Sequence, residues 1–469
     1  MSHTHFIGIG GTGLSAIARV LLESGQQVSG SDRALSPLAA ALRADGVMVY
    51  EGHDAVNVQG ADVVVRSSAI PDTNVEVQAA RALGLPVLKR SDFLGKMMDG
   101  RTGIAIAGTH GKTTTTSMIA WMLTALGLDP TYISGGVIAN LGTNAHAGQG
   151  VPFVIEADEY DHMFLGLRPK IAIVTNVEHD HPDCYPTSED FFQAFRDFVK
   201  TLSLDGTLIA CVDDPGASSL LHAEESGPRG FPYGLTASAR VRGGNLAPQP
   251  GAGFQFDLYL DNEFQTHVAL QVPGQHNVLN ALAALSVAHL LGLSLPDAAL
   301  ALGKFCGAGR RFDLRGEAGE VLIIDDYAHH PTEIRATLAA ARARYPSRTL
   351  WAVWQPHTYS RTETLRTEFA RAFGDADHVL VTGVYAARET APAGFSLQPL
   401  LDAMPNPDVH HFPTLDEVSA YLVTHLHPND VLLVMSAGDA EQVSQQVFSA
   451  LSSPNVRASL GPIGTQRNS

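Results

Sequence analysis

The sequence predicts an α/β protein of three domains, and three observations carry that prediction. Short apolar runs of strand character alternate with helical periodicities along most of the chain. Two glycine-rich turns each follow such a run directly. Most of the remaining chemistry-bearing residues also gather just after apolar runs. Alternating strands and helices imply parallel sheets covered on both faces, and such sheets place ligands at the carboxyl ends of their strands. At 469 residues the chain exceeds what one core ordinarily holds, and the length prior gives about three domains.

In order, residues 5–9 read as a short buried strand. Leu14, Ile17, Ala18, Leu21 and Leu22 then follow helical spacing. Further strands are expected at 27–31, 63–66 and 87–88. Residues 91–101 turn polar and read as a boundary. The alternation resumes with strands at 104–107, 153–155, 171–175 and 207–211, while the Gly- and Pro-rich stretch 242–253 reads as loops between short strands. A helix is expected over 276–291 and a junction at 307–312. Strands at 321–324, 350–354, 378–381 and 431–435, with helices at 332–344 and 363–373, complete the pattern, and the polar tail from 452 is expected to fray. The expected domains are 1–100, 101–309 and 310–469.

Composition narrows the function. Hydrophobic residues make up 45% and charged residues 17%, the balance of a globular protein. A formal net charge of −17 repels nucleic-acid phosphates and argues against a nucleic-acid partner. Three scattered cysteines suit neither a disulfide framework nor a zinc cluster. The opening residues lack a basic segment followed by an apolar run, and no stretch reaches the roughly 18 to 20 apolar residues that cross a bilayer. The expectation is a cytoplasmic enzyme with no membrane partner, monomeric or homodimeric.

Gly8-Ile9-Gly10-Gly11-Thr12-Gly13 follows the first strand and opens the first helix. Glycines there let the backbone approach a diphosphate, while the helix N-terminus offers N–H donors. Asp32, at the end of the second strand, is placed to accept from a ribose. A second turn, Gly108-Thr109-His110-Gly111-Lys112-Thr113-Thr114, follows the strand at 104–107. Ile106 stands where the common phosphate-loop pattern has its first glycine, yet the physical requirements are met. Backbone N–H groups can wrap phosphates, Lys112 can neutralise them and the Thr113 hydroxyl can bind Mg²⁺.

Glu156, Asp158, Glu159 and Asp161 end the strand at 153–155 and offer the oxygen ligands that Mg²⁺ requires. Another strand ends in Thr175-Asn176-Val177-Glu178-His179-Asp180-His181, where His181 is a candidate for metal or phosphate. His276, Asn277 and Asn280 begin a helix; their amides could read a base edge, but spacing alone favours a helix cap. Asp325-Asp326-Tyr327-Ala328-His329-His330-Pro331 and Gln355-Pro356-His357-Thr358-Tyr359-Ser360-Arg361 each follow a strand and are expected to face one cleft. Arg310 and Arg311 are clustered cations suited to a phosphate.

Together these motifs resemble the Mur ligases, the ATP-dependent amide-forming enzymes of peptidoglycan precursor synthesis. The resemblance runs from Gly8 to about Asp439 and is strongest in Gly-Thr-His-Gly-Lys-Thr-Thr, Glu-Ala-Asp-Glu, His-Asn-x-x-Asn-Ala, Gly-Arg-Arg-Phe-Asp and Asp-Asp-Tyr-Ala-His-His-Pro. The last two, with Gln-Pro-His-x-Tyr-x-Arg, look most like the branch that adds L-alanine to UDP-N-acetylmuramate. The resemblance implies a Rossmann-like N-terminal domain, a central P-loop ATPase-type domain and a C-terminal Rossmann-like domain. Gly8, Gly10, Gly11, Thr12 and Gly13 would then meet a UDP diphosphate, with Ser31, Asp32 and His53 near the uridine. Residues 108–114 would hold ATP, with Thr113, Glu156 and His181 on Mg²⁺ (for which Mn²⁺ can substitute). His276, Asn277 and Asn280 would lie near adenine, and Arg311 and Asp326 would reach ATP from the C-terminal side. Tyr327, His329, His357 and Arg361 would receive alanine. Lys112, His181, Arg311 and His329 would carry the catalytic roles, with hinges near Arg101 and Gly309 closing the domains.

Three residue patterns qualify the branch. Tyr160 stands where the alanine-adding branch usually carries Ser, and Glu-Ala-Asp-Glu-Tyr-Asp is typical of the murein tripeptide ligase that salvages peptides onto the same sugar. Thr358 stands where many alanine-adding members have a second Arg. The stretch 190–200 lacks a lysine matching the one that is carbamylated in some later-acting members, as is usual for the alanine-adding type. A nicotinamide-dependent oxidoreductase would use the first glycine turn but leaves the second unexplained. A regulator without catalysis would not need Lys112, Glu156 and His181 together.

Overall fold

The computed structural model describes residues 2–221, 227–249 and 251–453, so most of the tail expected to fray lies outside the described residues. The chain forms two compact units, one of Met1–Ala247, Gln255–Gln271 and His276–Ala308, the other of Pro248–Phe254, Val272–Gln275 and Gly309–Ser469. Among the described residues no helix is long and apolar enough to cross a membrane.

The first unit holds two sheets. One has five parallel strands in the order Met48–Glu51, Gln27–Asp32, His3–Ile7, Val63–Arg66, Val87–Lys89. The helix Thr12–Glu23 buries Leu14, Ile17 and Leu21, the stripe its spacing predicts. The other sheet has ten strands. Its parallel centre runs Arg229–Gly234, Thr207–Cys211, Ile171–Val174, Thr102–Ala107, Pro152–Glu156, Thr131–Ile138. The central strands are apolar throughout because both faces are covered, and Ile104, Ala105, Ile106 and Ala107 are all 0% exposed.

The second unit carries a six-stranded sheet in the order Asp313–Ala318, Val321–Asp326, Asp430–Met435, Thr349–Trp354, His378–Thr382, Val409–Phe412. Only Asp313–Ala318 runs antiparallel to its neighbour. Helices such as Pro331–Arg344 and Leu415–His425 bury Leu338 and Leu422 in the cores on the sheet.

Four elements differ from expectation. The first strand is His3–Ile7, and Ile9 is buried in the turn after it rather than in the strand. The expected boundary at 91–101 holds the helix Arg90–Met97, which has no side-chain N-cap to announce it. That helix packs closely because Gly95 lacks a side chain: a Cβ there would lie 2.3 Å from the Gly166 carbonyl oxygen. The stretch read as loops contains the strand Val241–Pro248, where Gly243 lets Leu235, Val278 and Leu282 approach the backbone. The helix expected at 363–373 is two short ones, Tyr359–Thr364 and Arg366–Ala370, broken at Leu365.

A buried polar network sits among the first sheet and its helices. Glu76, 0% exposed on the helix Val75–Ala82, accepts from Ser31 Oγ at 2.5 Å and Asn57 Nδ2 at 2.6 Å. His5 Nε2 lies 3.7 Å away and His53 Nδ1 3.3 Å away. Burial pushes this carboxyl up, but the nearby His5 ring and the Ser31 and Asn57 hydrogen bonds outweigh it and hold the group at about 2. A depressed carboxyl contributes stability above its unfolded value near 4.3 and loses it as pH falls toward 2. Glu76→Gln should therefore cost about 1–3 kcal/mol at pH 7 in urea unfolding. The gap from the wild type should narrow as pH falls from about 4.5 toward 2.

Candidate active site

In the second sheet the strand Thr102–Ala107 lies between Pro152–Glu156 and Ile171–Val174, with Ile106 beside Glu156 and Ala107 beside Val174. Their carboxyl ends therefore deliver residues 108–114, 156–161 and 175–181 to one edge. The turn after Thr102–Ala107 is fixed by two glycines. Gly108 has φ +139°, and a Cβ there would lie 1.9 Å from Thr175 Oγ1. Gly111 has φ +83°, and a Cβ there would lie 2.7 Å from Asn280 Oδ1. Both positions exclude a side chain by geometry and by contact.

The neighbouring strand end clamps the turn. Thr109 N–H donates to the Asn176 carbonyl at 3.1 Å, and His110 N–H donates to Asn176 Oδ1 at 2.8 Å. Thr175 Oγ1 donates to the His110 carbonyl at 2.6 Å, and Thr109 Oγ1 to the Glu178 carbonyl at 2.7 Å. The His110 ring pairs with Glu178 Oε2 at 2.8 Å. Gly111 then caps the helix Lys112–Ala125, and Thr114 is half-buried in its first turn.

Lys112 turns back over the turn it follows. Its ammonium donates to the carbonyls of Gly108 at 2.6 Å and Thr109 at 3.1 Å, and pairs with Glu159 Oε2 at 2.8 Å. Burial works against the ammonium, but Glu159, Glu156 and Asp158 outweigh it and hold the amine above its usual value. Glu159, 1% exposed, is likewise opposed by burial and held low by Lys112 and His181. His181, at φ +55°, places Nε2 3.3 Å from Glu159 Oε1. Thr113 Oγ1 donates to Glu156 Oε1 at 3.0 Å, and Gly135 N–H to Glu156 Oε2 at 2.6 Å.

The structure thus brings Gly108, Lys112, Thr113, Glu156, Glu159 and His181 together. It also corrects the helix-cap reading of the asparagines. Asn277 and Asn280 lie inside the helix Gln275–Leu290, where Asn280 Nδ2 donates to Asn277 Oδ1 at 3.0 Å. Asn280 Oδ1 accepts from Thr115 Oγ1 at 3.1 Å, so the amides pack behind the turn, while His276 is exposed in the first helical turn.

The first glycine turn is built differently. Gly8, at φ +88°, and Ile9 both donate to the Ser31 carbonyl, at 2.8 and 3.1 Å. Asp32 Oδ2 accepts from Gly10 N–H at 2.8 Å, so this carboxylate braces the turn. Gly11 precedes the helix, whose first residue Thr12 is exposed. Ser31 is buried with its hydroxyl on Glu76, and His53 Nδ1 lies 3.0 Å from that hydroxyl. A residue unforeseen in the sequence, Arg90, lies against Gly13. Glu76 was also unforeseen; its one signal is a carboxylate beside Val77 and Ala80 on a buried helix face.

In the second unit, Val321–Asp326 and Thr349–Trp354 flank Asp430–Met435, with Asp326 and Trp354 both beside Met435. The two expected constellations do meet, the His329 and His357 rings lying 5.8 Å apart. Arg361, 4% exposed, donates to the His357 carbonyl and lies against its Nδ1, each at 2.9 Å. His329 Nδ1 lies 2.9 Å from the Tyr327 carbonyl and 3.3 Å from Glu333. Arg310 and Arg311 lie 4.9 and 4.8 Å from the Tyr327 ring centre. Burial raises the Asp326 carboxyl to about 6 against the pull of Arg311, and its oxygens accept from Phe312 and Ala328 N–H groups, each at 2.7 Å.

Comparison with known proteins agrees along the whole chain. The Mur ligase family catalytic domain matches residues 3–102, the Mur ligase middle domain 106–288 and the Mur ligase glutamate ligase domain 310–438. A UDP-N-acetylmuramate–L-alanine ligase of Roseiflexus sp. (strain RS-1) is 43% identical, covering 97% of this chain and 100% of that protein. The chain belongs to the Mur ligase family.

Another relative of this Mur ligase, the UDP-N-acetylmuramate–L-alanine ligase of Renibacterium salmoninarum, is 43% identical over 98% of each chain. Among solved structures, the UDP-N-acetylmuramate-alanine ligase of Thermotoga maritima matches with a TM-score of 0.79 at 30% identity, covering 96% of this chain and 99% of that one. A murein peptide ligase of Psychrobacter arcticus matches over the same shares with a TM-score of 0.70 at 28% identity. Membership in this family removes the oxidoreductase. Gly108→Ala tests the geometry of the second turn. The strained φ and the clash with Thr175 should cost about 2–4 kcal/mol in urea unfolding, against near neutrality for Gly127→Asn, whose φ of +78° meets no neighbour.

Proposed function

We propose that this Mur ligase joins L-alanine to the carboxylate of UDP-N-acetylmuramate, consuming ATP and giving ADP and phosphate, in the cytoplasmic synthesis of peptidoglycan precursors. The observation that carries the reading is the whole-chain likeness to UDP-N-acetylmuramate–L-alanine ligases, at 43% identity in the Roseiflexus relative. The Lys112 turn beside two acidic strand ends supports it.

A free carboxylate is a poor acyl donor. Its oxygen attacks the γ-phosphorus of ATP, ADP leaves, and the alanine amine then attacks the carbonyl carbon of the acyl phosphate. The tetrahedral adduct collapses to the amide as phosphate departs with the former carboxylate oxygen. Protein catalysis here is positioning and charge stabilisation. In this reading residues 108–114 hold the phosphates, and the Lys112 ammonium, kept protonated by Glu159, neutralises them. Thr113 and Glu156, 3.0 Å apart, offer oxygens that suit a hard divalent cation. They fit Mg²⁺, which with His181 they would hold and which would draw charge from phosphate oxygens. Gly8, Gly10, Gly11, Thr12 and Gly13 take the UDP diphosphate. Tyr327, His329, His357 and Arg361 form the alanine pocket, Arg361 through its hold on His357.

A second reading, the murein tripeptide ligase, is favoured by Tyr160, whose hydroxyl donates to Asp183 Oδ2 at 2.9 Å and whose ring lies 5.2 Å from that of His181. Offering L-alanine, glycine, L-serine or a tripeptide with UDP-N-acetylmuramate and Mg-ATP separates the two. ADP release should respond chiefly to L-alanine, and a response confined to the tripeptide would replace the first reading with the second. Lys112→Ala should lower kcat at least about a hundredfold; near-normal turnover would remove its role. Arg361→Ala should chiefly raise the KM for the amino acid, leaving that for ATP unchanged.

A further inference from the structure

Arg90 joins the two halves of the first unit and has no part in the reading above. It opens the helix Arg90–Met97 directly after the strand Val87–Lys89. Its guanidinium faces both glycine-turn chemistry and acidic-motif chemistry. On one side it lies against Gly13, where an added Cβ would come within 1.8 Å of Nη1 and 2.9 Å of Cζ, so a larger residue there would displace the guanidinium. On the other side Nη2 donates to Asp158 Oδ2 at 3.0 Å. Asp158 is itself fixed, accepting from Tyr160 N–H at 3.1 Å through its other oxygen. The third donor, Nε, is enclosed and has no hydrogen-bond partner. Enclosed N–H groups are normally satisfied, and an unpaired one marks a place where something binds or strain is held.

Beside this guanidinium lies a cavity of about 320 Å³, lined among others by Ser68, Lys89, Arg90, Asp161 and His162. Asp161 and His162 both have φ +54°, consecutive left-handed residues without glycine in the wall of the cavity. Such backbone persists where the surroundings over-determine it, commonly at ligand sites. A planar guanidinium with donors to spare matches the oxygens of a phosphate better than an ammonium does.

We propose that Arg90 is a substrate-binding residue that clamps the diphosphate of the UDP-sugar against the first glycine turn, with Asp158 holding its head in place and the adjoining cavity receiving the sugar. This rests on the UDP-sugar reading above. It adds a cation to a turn whose Gly8, Ile9 and Gly10 N–H groups already donate to Ser31 and Asp32. It also ties that turn to the Glu156–Glu159 segment through one ion pair, so the sugar and the Lys112 turn share a common support.

The test is calorimetric titration of the full chain, without ATP, with UDP and with uridine. Arg90→Ala should weaken UDP binding at least tenfold while leaving uridine within twofold, and Arg90→Lys should fall between. Equal UDP affinity in Arg90→Ala and the wild type would overturn the proposal. So would an equal loss of UDP and uridine, because a merely structural arginine would not distinguish the two ligands. Wild-type protein that binds neither UDP nor uridine would instead bring down the UDP-sugar reading, and this proposal with it.

Discussion

The arrangement of the first unit depends on one ion pair. Lys112 and Glu159 are both withdrawn from water, a costly state for either charge alone. Removing one partner from such a buried pair typically costs about 3–5 kcal/mol, because the other is left uncompensated. The pair forms only if the strand Pro152–Glu156 ends beside the strand Thr102–Ala107, which the parallel register ensures. It also needs the backbone to reverse at Gly108 and Gly111 so that the ammonium can fold over its own loop. With Lys112 held, the Gly108 and Thr109 carbonyls point inward to it, and Asn176 and Thr175 anchor the outside of the turn. The geometry of the turn therefore follows from a sheet register and two side-chain-free positions.

The second unit solves a similar problem with different groups. Asp326 is buried at a strand end and satisfied by two backbone N–H groups, so the turn after it is rigid. Arg361 spends its guanidinium on His357, and His329 leans on the Tyr327 carbonyl. These contacts fix ring orientations instead of neutralising charge.

Much of this was legible in the sequence. The apolar central strands and the residues at their carboxyl ends could be read directly, because both faces of a parallel sheet are buried and ligands gather at one edge. Local signals failed where tertiary contact decided the outcome. The helix Arg90–Met97 lacks a capping side chain, and its close packing depends on Gly95 meeting Gly166, a contact distant in sequence. Asn277 and Asn280 read as caps because spacing cannot reveal that Thr115 and Gly111 stand behind them. Arg90 and Glu76 carry no motif at all. Their partners, Asp158 for Arg90 and Ser31, His5 and Asn57 for Glu76, lie 19 to 71 residues away and meet only in the fold.

In the proposed reaction the Lys112 turn activates a carboxylate by phosphorylating it. The most direct test labels the muramyl carboxylate of UDP-N-acetylmuramate with ¹⁸O and analyses the phosphate released in the presence of L-alanine and Mg-ATP. Passage through an acyl phosphate transfers one carboxylate oxygen, so each phosphate formed should carry a single ¹⁸O atom. Unlabelled phosphate, released in step with amide formation, would contradict the account.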